Sequence, residues 1–274
     1  MTIVQDEIRG AVARLGLSGG IVCLHTSLKS FGRVEGGAGA VVGAFLDEGC
    51  TVVAPTFYYG AIVRPPEGRM PERNGCDYSR LPEAGSSQIA PYTGAGDQID
   101  ESMGAVPAFV LRMEDSVRGN HPFNSFAAVG PLARQIVRGQ APLDVYAPFR
   151  EMYGRDRAFI VLAGVGLTRA TAIHFAEQLA GRRLFRAWAK VAGDGIQETE
   201  VGSCSEGFEN LAAFVSEIET SASVGRSPWR IFPFRDFVDR IARAVKENPR
   251  LTHCGNDNCL RCRDAVAGGP ITSA

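Results

Sequence analysis

Short apolar segments that alternate with glycine-rich turns and helical segments constrain the fold of this chain most strongly. Buried strands are predicted at residues 21–24, 51–54 and 158–163, because each is a brief apolar run bounded by glycine, proline or a polar turn. A predicted helix at residues 40–46 joins the first two strands, and another at residues 170–180 follows the third. This order of strands and helices is typical of an α/β fold.

Further helices and one hairpin are predicted around these strands. The hairpin pairs residues 184–191 with 196–201, because the glycines at positions 193 and 195 favour a tight turn between them. Neither a repeat nor a low-complexity tract divides the chain, so one domain over residues 1–274 is expected. Apolar periodicity predicts the remaining helices at residues 3–15, 106–113, 131–137, 207–220 and 234–246.

Two segments depart from this pattern. Residues 55–104 are rich in proline, glycine and charged side chains, and a loop of this length is predicted to be a substrate lid or a flexible insertion. Residues 251–274 form a polar C-terminal tail that contains clustered cysteines. Both segments are therefore predicted to lie outside the regular strands and helices.

The charge balance and the N-terminus argue against several classes of protein. Lys plus Arg total 29 against 30 for Asp plus Glu, so neither a nucleic acid nor a membrane is expected as partner. No run of about 18 apolar residues is present, and acidic residues occupy the start, where a secretory signal would be basic. Seven cysteines, an odd number, suit a reducing compartment. A cytoplasmic protein is expected.

The tail offers four soft metal ligands close together, namely His253, Cys254, Cys259 and Cys262. Such a group is sufficient for a structural zinc ion. The C-x4-C-x2-C spacing differs from that of standard zinc fingers, however, and paired CxxC knuckles are absent. Unpaired thiols in a surface tail are therefore favoured over a structural zinc, and no metal is predicted for the active site.

The first buried strand ends in a polar turn that suits an anion. His25, Thr26 and Ser27 would deliver hydroxyls and backbone N–H groups to the carboxyl end of the sheet, where open α/β folds bind ligands. Lys29 and Arg33 supply positive charge suited to a phosphate. The same residue types form ordinary turns, so phosphate binding and a structural turn both remain open at this point.

A pair of ionisable residues follows the third strand. His174 and Glu177 lie three residues apart on a predicted helix, so both side chains project from one face. This arrangement suits a general base with an orienting acid, although a surface histidine beside an acid has the same spacing. A catalytic zinc needs three protein ligands, of which this pair supplies two. His121, extended by the following proline, suits either a cleft or the cap of a loop.

Three segments in order carry a family resemblance. They are HTSLKS at residues 25–30, RGNHPFNSFAAVG at residues 118–130 and GVGLTRATAIHFAE at residues 164–177. GSCSEGF at residues 202–208 is a further landmark, as is Met103-Gly104. Together these segments resemble the aminoglycoside N3-acetyltransferase family, and the match spans most of residues 20–210.

The resemblance implies both a fold and an activity. The fold would be antibiotic N-acetyltransferase-like, an α/β fold with a central mixed sheet flanked by helices and a long substrate loop. The activity would be transfer of an acetyl group from acetyl-CoA to the 3-amino group of an aminoglycoside antibiotic, directly and with a general base. The alternatives are acetylation of another small amine, a zinc-dependent hydrolase, and a CoA-binding protein without activity. The chain is expected to be a monomer or a homodimer.

The resemblance also implies roles for individual residues. His174 is the implied general base. Glu200, placed just before the 202–208 landmark, is its implied carboxylate partner, and Glu177 is the local alternative. The residues implied to bind acetyl-CoA are His25, Thr26, Ser27, Lys29, Ser30, Arg33, Arg118, His121 and Ser125.

The chain departs from the family pattern near the expected acceptor site. A GxGSP-like element of the family corresponds here to DVYAPF at residues 144–149, in which Ala147 replaces the serine. The segment at residues 55–104 is also longer and richer in arginine, proline and glycine than the usual substrate loop. A cationic acceptor suits an acidic pocket, for which this loop offers Asp77, Glu83, Asp97, Asp100 and Glu101.

Overall fold

A seven-stranded mixed sheet forms the centre of the fold in the computed structural model, which describes residues 2–96, 98–193 and 195–272. The strands are β1 (Thr2–Ile3), β2 (Ile21–Thr26), β3 (Arg33–Val34), β4 (Thr51–Pro55), β5 (Ile62–Val63), β6 (Val117–Arg118), β7 (Phe126–Val129), β8 (Ala158–Ala163), β9 (Phe185–Val191), β10 (Gly195–Val201), β11 (Thr220–Val224) and β12 (Ser227–Pro233). The large sheet has the order β11-β12-β8-β2-β4-β7-β6. The predicted α/β fold with a central mixed sheet is confirmed.

Helices cover both faces of this sheet. They are α1 (Gln5–Arg14), α2 (Gly37–Asp47), α3 (Ala105–Arg112), α4 (Ala133–Val137), α5 (Ala147–Tyr153), α6 (Ala172–Leu179), α7 (Ala212–Val215), α8 (Phe234–Glu247) and α9 (Leu260–Val266). Ile160 and Leu162 of β8 pack with α4, α5, α6 and α8, whereas Val161 and Ala163 pack with α1, α2 and α3. Because successive side chains point to opposite faces, a strand covered on both sides is apolar throughout. None of the described helices combines the length and the apolar composition that crossing a membrane requires.

Three parallel strands define the functional edge of the sheet. Ile21 of β2 is in register with Thr51 of β4 on one side and with Ala158 of β8 on the other. The outer neighbours β7 and β12 run antiparallel to β4 and β8. Since β2, β4 and β8 run in the same direction, the turns that follow them meet at one edge.

A second, smaller sheet with the order β10-β9-β5 contains part of the predicted loop. Ile62 and Val63, within residues 55–104, pair with Ala189 and Trp188 of β9. Phe123, Phe185, Ala189, Val201 and Ala265 form a separate apolar cluster beneath this sheet. The loop is therefore anchored by strand pairing, and the prediction that it lies wholly outside regular structure is wrong.

The C-terminal part of the chain differs most from the sequence-based prediction. In place of one helix at 207–220, short 3-10 turns flank the four-residue α7, and β11 and β12 form an unpredicted hairpin. Gly207 packs so closely on the tail that a Cβ there would lie 2.4 Å from the carbonyl oxygen of His253. The tail itself contains α9, a helix that was not predicted because the tail is polar.

Candidate functional site

A cavity of about 940 Å³ lies at the edge where β2, β4 and β8 end. Its wall includes Thr26 at the end of β2, Pro55 at the end of β4 and Val165 just after β8. Ala187 of β9 and Val201 of β10 contribute from the small sheet. Open α/β folds bind ligands at this edge, and the volume is typical of small-molecule sites. The cavity is therefore the candidate active site.

His174 lines this cavity from α6. Its Nδ1 atom lies 2.8 Å from Oε2 of Glu177, three residues further along the helix. With Glu177 ionised, Nδ1 carries the ring proton and Nε2 keeps its lone pair. Across the described residues, the hydrogen bonds of this imidazole all involve Nδ1. The pair predicted from the helical spacing is formed, and Nε2 is available to a ligand.

Aromatic rings and a glycine hold the His174 imidazole in position. Tyr146 stacks on it with ring centroids 6.3 Å apart, and Phe208 meets its edge at 4.9 Å. Burial raises the pKa of Tyr146 well above its usual range, so the phenol stays neutral. A Cβ at Gly202 would lie 2.7 Å from Cγ of His174 and 2.6 Å from the Tyr146 hydroxyl. Only glycine fits beside this ring without displacing it.

Glu177 is buried and has three polar partners. Besides His174, Oε2 accepts a hydrogen bond from the Ser203 hydroxyl at 2.8 Å, and Oε1 accepts one from Arg182. Burial opposes ionisation of Glu177, but the hydrogen bond from His174 and the charges of His174 and Arg182 outweigh it, so its pKa is lowered. The buried group is therefore a carboxylate that stabilises positive charge on the imidazole.

Glu200, the family-implied partner of His174, is bound by Arg186 instead. It lies on β10 with Oε1 2.7 Å from Nη1 of Arg186. Burial raises the pKa of Glu200 despite this contact. Of the two candidate carboxylates, Glu177 is the one that contacts the imidazole, because α6 places it one turn from His174.

The end of β2 and the turn after it bring four predicted ligand-binding residues to the cavity, namely His25, Thr26, Ser27 and Lys29. The hydroxyl oxygen of Thr26 is buried and has no hydrogen-bond partner among the described residues. A buried hydroxyl without a partner is unfavourable, so this group suits a ligand that bonds to it. Burial and, to a smaller degree, Arg169 lower the pKa of His25 to about 4. His25 is therefore neutral at physiological pH.

Positive charge at the cavity comes from Lys29, Arg169 and Arg261. Arg169 follows β8, and Arg261 belongs to α9 of the tail, whose approach to the site the sequence did not predict. Ser30 donates its hydroxyl to a backbone carbonyl of its own turn at 2.7 Å, and Arg33 is exposed on β3. Neither of these two predicted phosphate-binding residues lines the cavity.

His121 lies behind the cavity wall and is completely buried. Its Nδ1 accepts backbone N–H groups of Phe123 and Asn124 at 3.1 and 2.9 Å, and its Nε2 lies 2.9 Å from the carbonyl of Glu200. Burial lowers the pKa of His121 to about 4, against the opposing effect of backbone hydrogen bonds. Both ring nitrogens cap the loop, the second of the two positions that the sequence left open, and the contact with acetyl-CoA stays a prediction.

Arg118 and Ser125 likewise bind other groups of the protein and do not line the cavity. Nε of Arg118 donates to the Ser125 hydroxyl at 2.9 Å, and Nη2 donates to the carbonyls of Thr56 and Gln98 at 2.9 and 2.7 Å. The guanidinium lies over the Tyr92 ring, 5.4 Å from its centroid. These contacts tie both ends of the long loop to β6. Neither predicted residue lines the cavity, because its polar atoms are already bound.

The carboxylates predicted to bind a cationic acceptor lie away from the cavity wall. Asp77 caps a 3-10 turn, Glu83 pairs with an arginine of its own loop, and Asp100 accepts a backbone N–H. Glu101 is exposed. None of these four lines the cavity, and Asp97 lies outside the residues that the structure describes. Three of the four carboxylates are instead bound by partners within their own loop.

Other polar residues of the cavity were missed by the sequence patterns. The Oδ1 atom of Asn124 is buried without a partner in the described structure, while its Nδ2 donates to the Tyr59 hydroxyl at 2.6 Å. Ser203 binds the carboxylate of the His174–Glu177 pair, and Glu206 is the only carboxylate residue among the described residues that line the cavity. Asn124, Ser203 and Glu206 lie within the segments at residues 118–130 and 202–208, in or beside which the resemblance implied roles for His121, Ser125 and Glu200 instead.

Comparisons with known proteins identify one family that the chain resembles in sequence and fold. The family model for aminoglycoside 3-N-acetyltransferase matches residues 23–246. Aminoglycoside N(3)-acetyltransferase III of Salmonella sp is 32% identical over 182 residues, which cover 64% of this chain and 60% of that enzyme. Aminoglycoside N(3)-acetyltransferase IV of Salmonella sp is 28% identical over 96% of both chains. The crystal structure of the aminoglycoside acetyltransferase AAC(3)-IVa gives a TM-score of 0.75 at 24% identity over 98% of both chains.

Proposed function

The chain belongs to the aminoglycoside 3-N-acetyltransferase family, and on this premise we propose that it transfers the acetyl group of acetyl-CoA to the 3-amino group of an aminoglycoside. The observation that carries the proposal is the His174–Glu177 pair at the wall of the 940 Å³ cavity. The names of the two Salmonella relatives support acetyl transfer to an aminoglycoside. Acetylation removes a positive charge from the acceptor and so weakens its binding to anionic targets.

His174 acts as the general base in this proposal. An amine attacks a thioester only through its lone pair, and the nitrogen must lose a proton as the new bond forms. Nε2 of His174 keeps a lone pair because Glu177 holds the other nitrogen. The base is thus oriented before the acceptor binds.

Glu177 and Ser203 stabilise the charged form of this base. The carboxylate of Glu177 offsets the positive charge that the imidazole acquires, while the Ser203 hydroxyl donates to the same carboxylate oxygen at 2.8 Å. Arg182 holds the other oxygen and fixes the direction of the carboxylate. The result resembles the His–Asp part of a catalytic triad, with the amine in place of the serine.

The turn after β2 and the neighbouring cations fit acetyl-CoA, whose thioester supplies the acetyl group. The unpartnered Thr26 hydroxyl and Ser27 would bind the pantetheine or thioester end. Lys29, Arg169 and Arg261 would neutralise phosphates. Direct transfer is the simpler course for the reaction, because none of the three family-like segments supplies a cysteine nucleophile.

The charge of the cavity favours a second candidate, an acceptor that is less cationic than an aminoglycoside. Among the described lining residues, Glu206 is the sole carboxylate, whereas Lys29, Arg169 and Arg261 are positive. A polycationic acceptor would gain little attraction from this wall unless the phosphates of acetyl-CoA first neutralise it. Ordered binding, with acetyl-CoA first, is therefore expected for an aminoglycoside.

The function is tested by following the release of free CoA thiol from acetyl-CoA in the presence of a panel of amines. The panel contains aminoglycosides with and without a 3-amino group, together with small monoamines, and the acceptor-free rate is subtracted. Release that depends on the 3-amino group, with one acetyl group located there by NMR, supports the proposal. Turnover of monoamines alone supports the second candidate. No release with any amine contradicts both.

Gly202→Ala is expected to lower kcat by about 100-fold, because the added methyl group displaces the His174 imidazole or Tyr146 by about 1 Å. The matched control is Gly181→Ala, whose site has open space around it although its positive φ adds local strain. Steady-state thiol release under saturating substrates measures the effect. A Gly202→Ala enzyme with the kcat of the wild type would show that the position of the imidazole is unimportant.

A further inference from the structure

Four cysteines from distant parts of the chain meet beside the active-site cavity. The thiol sulfurs of Cys204, Cys254, Cys259 and Cys262 all lie within 4.8 Å of one another. Three of them come from the tail, whereas Cys204 follows β10 about 50 residues earlier. From this geometry we propose that the protein binds a structural zinc ion through these four thiolates.

The distances suit a metal ion better than disulfide bonds. A tetrahedral zinc ion with Zn–S bonds of about 2.3 Å places its sulfur ligands ~3.8 Å apart, a separation that the 4.8 Å limit on the distances within the cluster accommodates. A disulfide holds two sulfurs at about 2 Å and gives no reason for two pairs to converge on one point. All four thiols are free in the structure. Mutual proximity of four sulfurs is the arrangement that a single shared cation requires.

The surrounding backbone supports the same assignment. The N–H group of Cys254 donates to the sulfur of Cys262 at 3.4 Å, a contact that stabilises a thiolate ligand. Gly255 has a φ of +83°, which lets the chain turn between the first two tail cysteines. His253, the fourth ligand suggested by the sequence, lies outside this cluster, and its Nδ1 accepts the N–H of Gly255. Cys204 takes that place.

The zinc ion would connect the tail to the catalytic pair. Cys204 is adjacent to Ser203, whose hydroxyl binds Glu177. Arg261 lies between Cys259 and Cys262 in the sequence and lines the cavity. Binding of zinc therefore fixes both the serine of the His174–Glu177 pair and a cation of the cavity. This role is structural and stands independently of the acetyl-transfer proposal, since zinc content is measured without any substrate.

The test is metal analysis of the full chain purified without chelators from zinc-supplemented cells. About one zinc ion per chain is expected in the wild type. Cys204→Ser and Cys259→Ser should each bind zinc more than about 100-fold more weakly, since removing even an outer partner of a ligand weakens a site by 10–100-fold. Cys76→Ser, which removes a partly exposed thiol outside the cluster, should keep about one zinc ion.

A second measurement covers variants that fail to fold. Cobalt added to the reduced, metal-free wild type should give thiolate-to-cobalt charge-transfer absorption with tetrahedral d–d bands, and zinc should displace it. The proposal is overturned if the wild type contains no zinc and cobalt gives no such bands. It is also overturned if Cys204→Ser and Cys259→Ser keep full zinc, if the metal is iron, or if two disulfides leave only three of the seven cysteines reactive.

Discussion

His174→Gln is expected to lower kcat for acetyl transfer by about 10²–10⁴-fold, the contribution usual for a general base. Glutamine fills much of the space between Tyr146 and Phe208, but its amide cannot accept a proton from the attacking amine. The variant therefore loses the proton transfer, whereas the packing around residue 174 is largely kept. Thiol release at saturating acetyl-CoA and acceptor measures kcat directly.

One control separates loss of the base from loss of the fold. Binding of CoA, measured by calorimetry, should change by less than about threefold, because the cations of the cavity are untouched. His25 is the other histidine that lines the cavity, but its pKa of about 4 makes it a weak base at neutral pH. Near-wild-type turnover of His174→Gln would mean that the proton goes to another group.

The strands and helices around the sheet could be predicted because each carries a local signal. The six residues of β8 are apolar on both faces, and α6 follows at a glycine turn, so pattern and structure agree. The prediction of one helix at 207–220 was wrong because the conformation of this segment depends on the tail, against which Gly207 packs. No local periodicity indicates a contact with a residue that lies 46 positions away in the sequence, as His253 does from Gly207.

The candidate site was likewise predictable only where a local sequence pattern determines it. The His174–Glu177 contact follows from helical geometry alone, and the turn after β2 reaches the cavity because parallel strands end at one edge. The meeting of Cys204 with the tail cysteines requires the tertiary fold. Glu200 was misplaced for a related reason, since its nearest cation, Arg186, is a cross-strand neighbour on β9.

Glu177→Gln is expected to have the second large effect, on stability and on kcat together. Arg182 is almost fully buried, and loss of its carboxylate partner leaves an unpaired buried charge, which costs about 3–5 kcal/mol of unfolding free energy. Glu200→Gln is the matched control. Arg186 is partly exposed and keeps Glu198 at 3.4 Å, so this change should cost about 1 kcal/mol or less.

The effect of Glu177→Gln on kcat follows from the direction of the new amide. Arg182 only donates hydrogen bonds, so it will retain the amide oxygen and turn the NH₂ group toward Nδ1 of His174. The imidazole must then accept at Nδ1 and carry its proton on Nε2, where a base needs a lone pair. We expect kcat to fall by at least about 100-fold, whereas Glu200→Gln should stay within about twofold. Urea unfolding and thiol release measure the two effects, and the opposite ranking of the variants would return the partner role to Glu200.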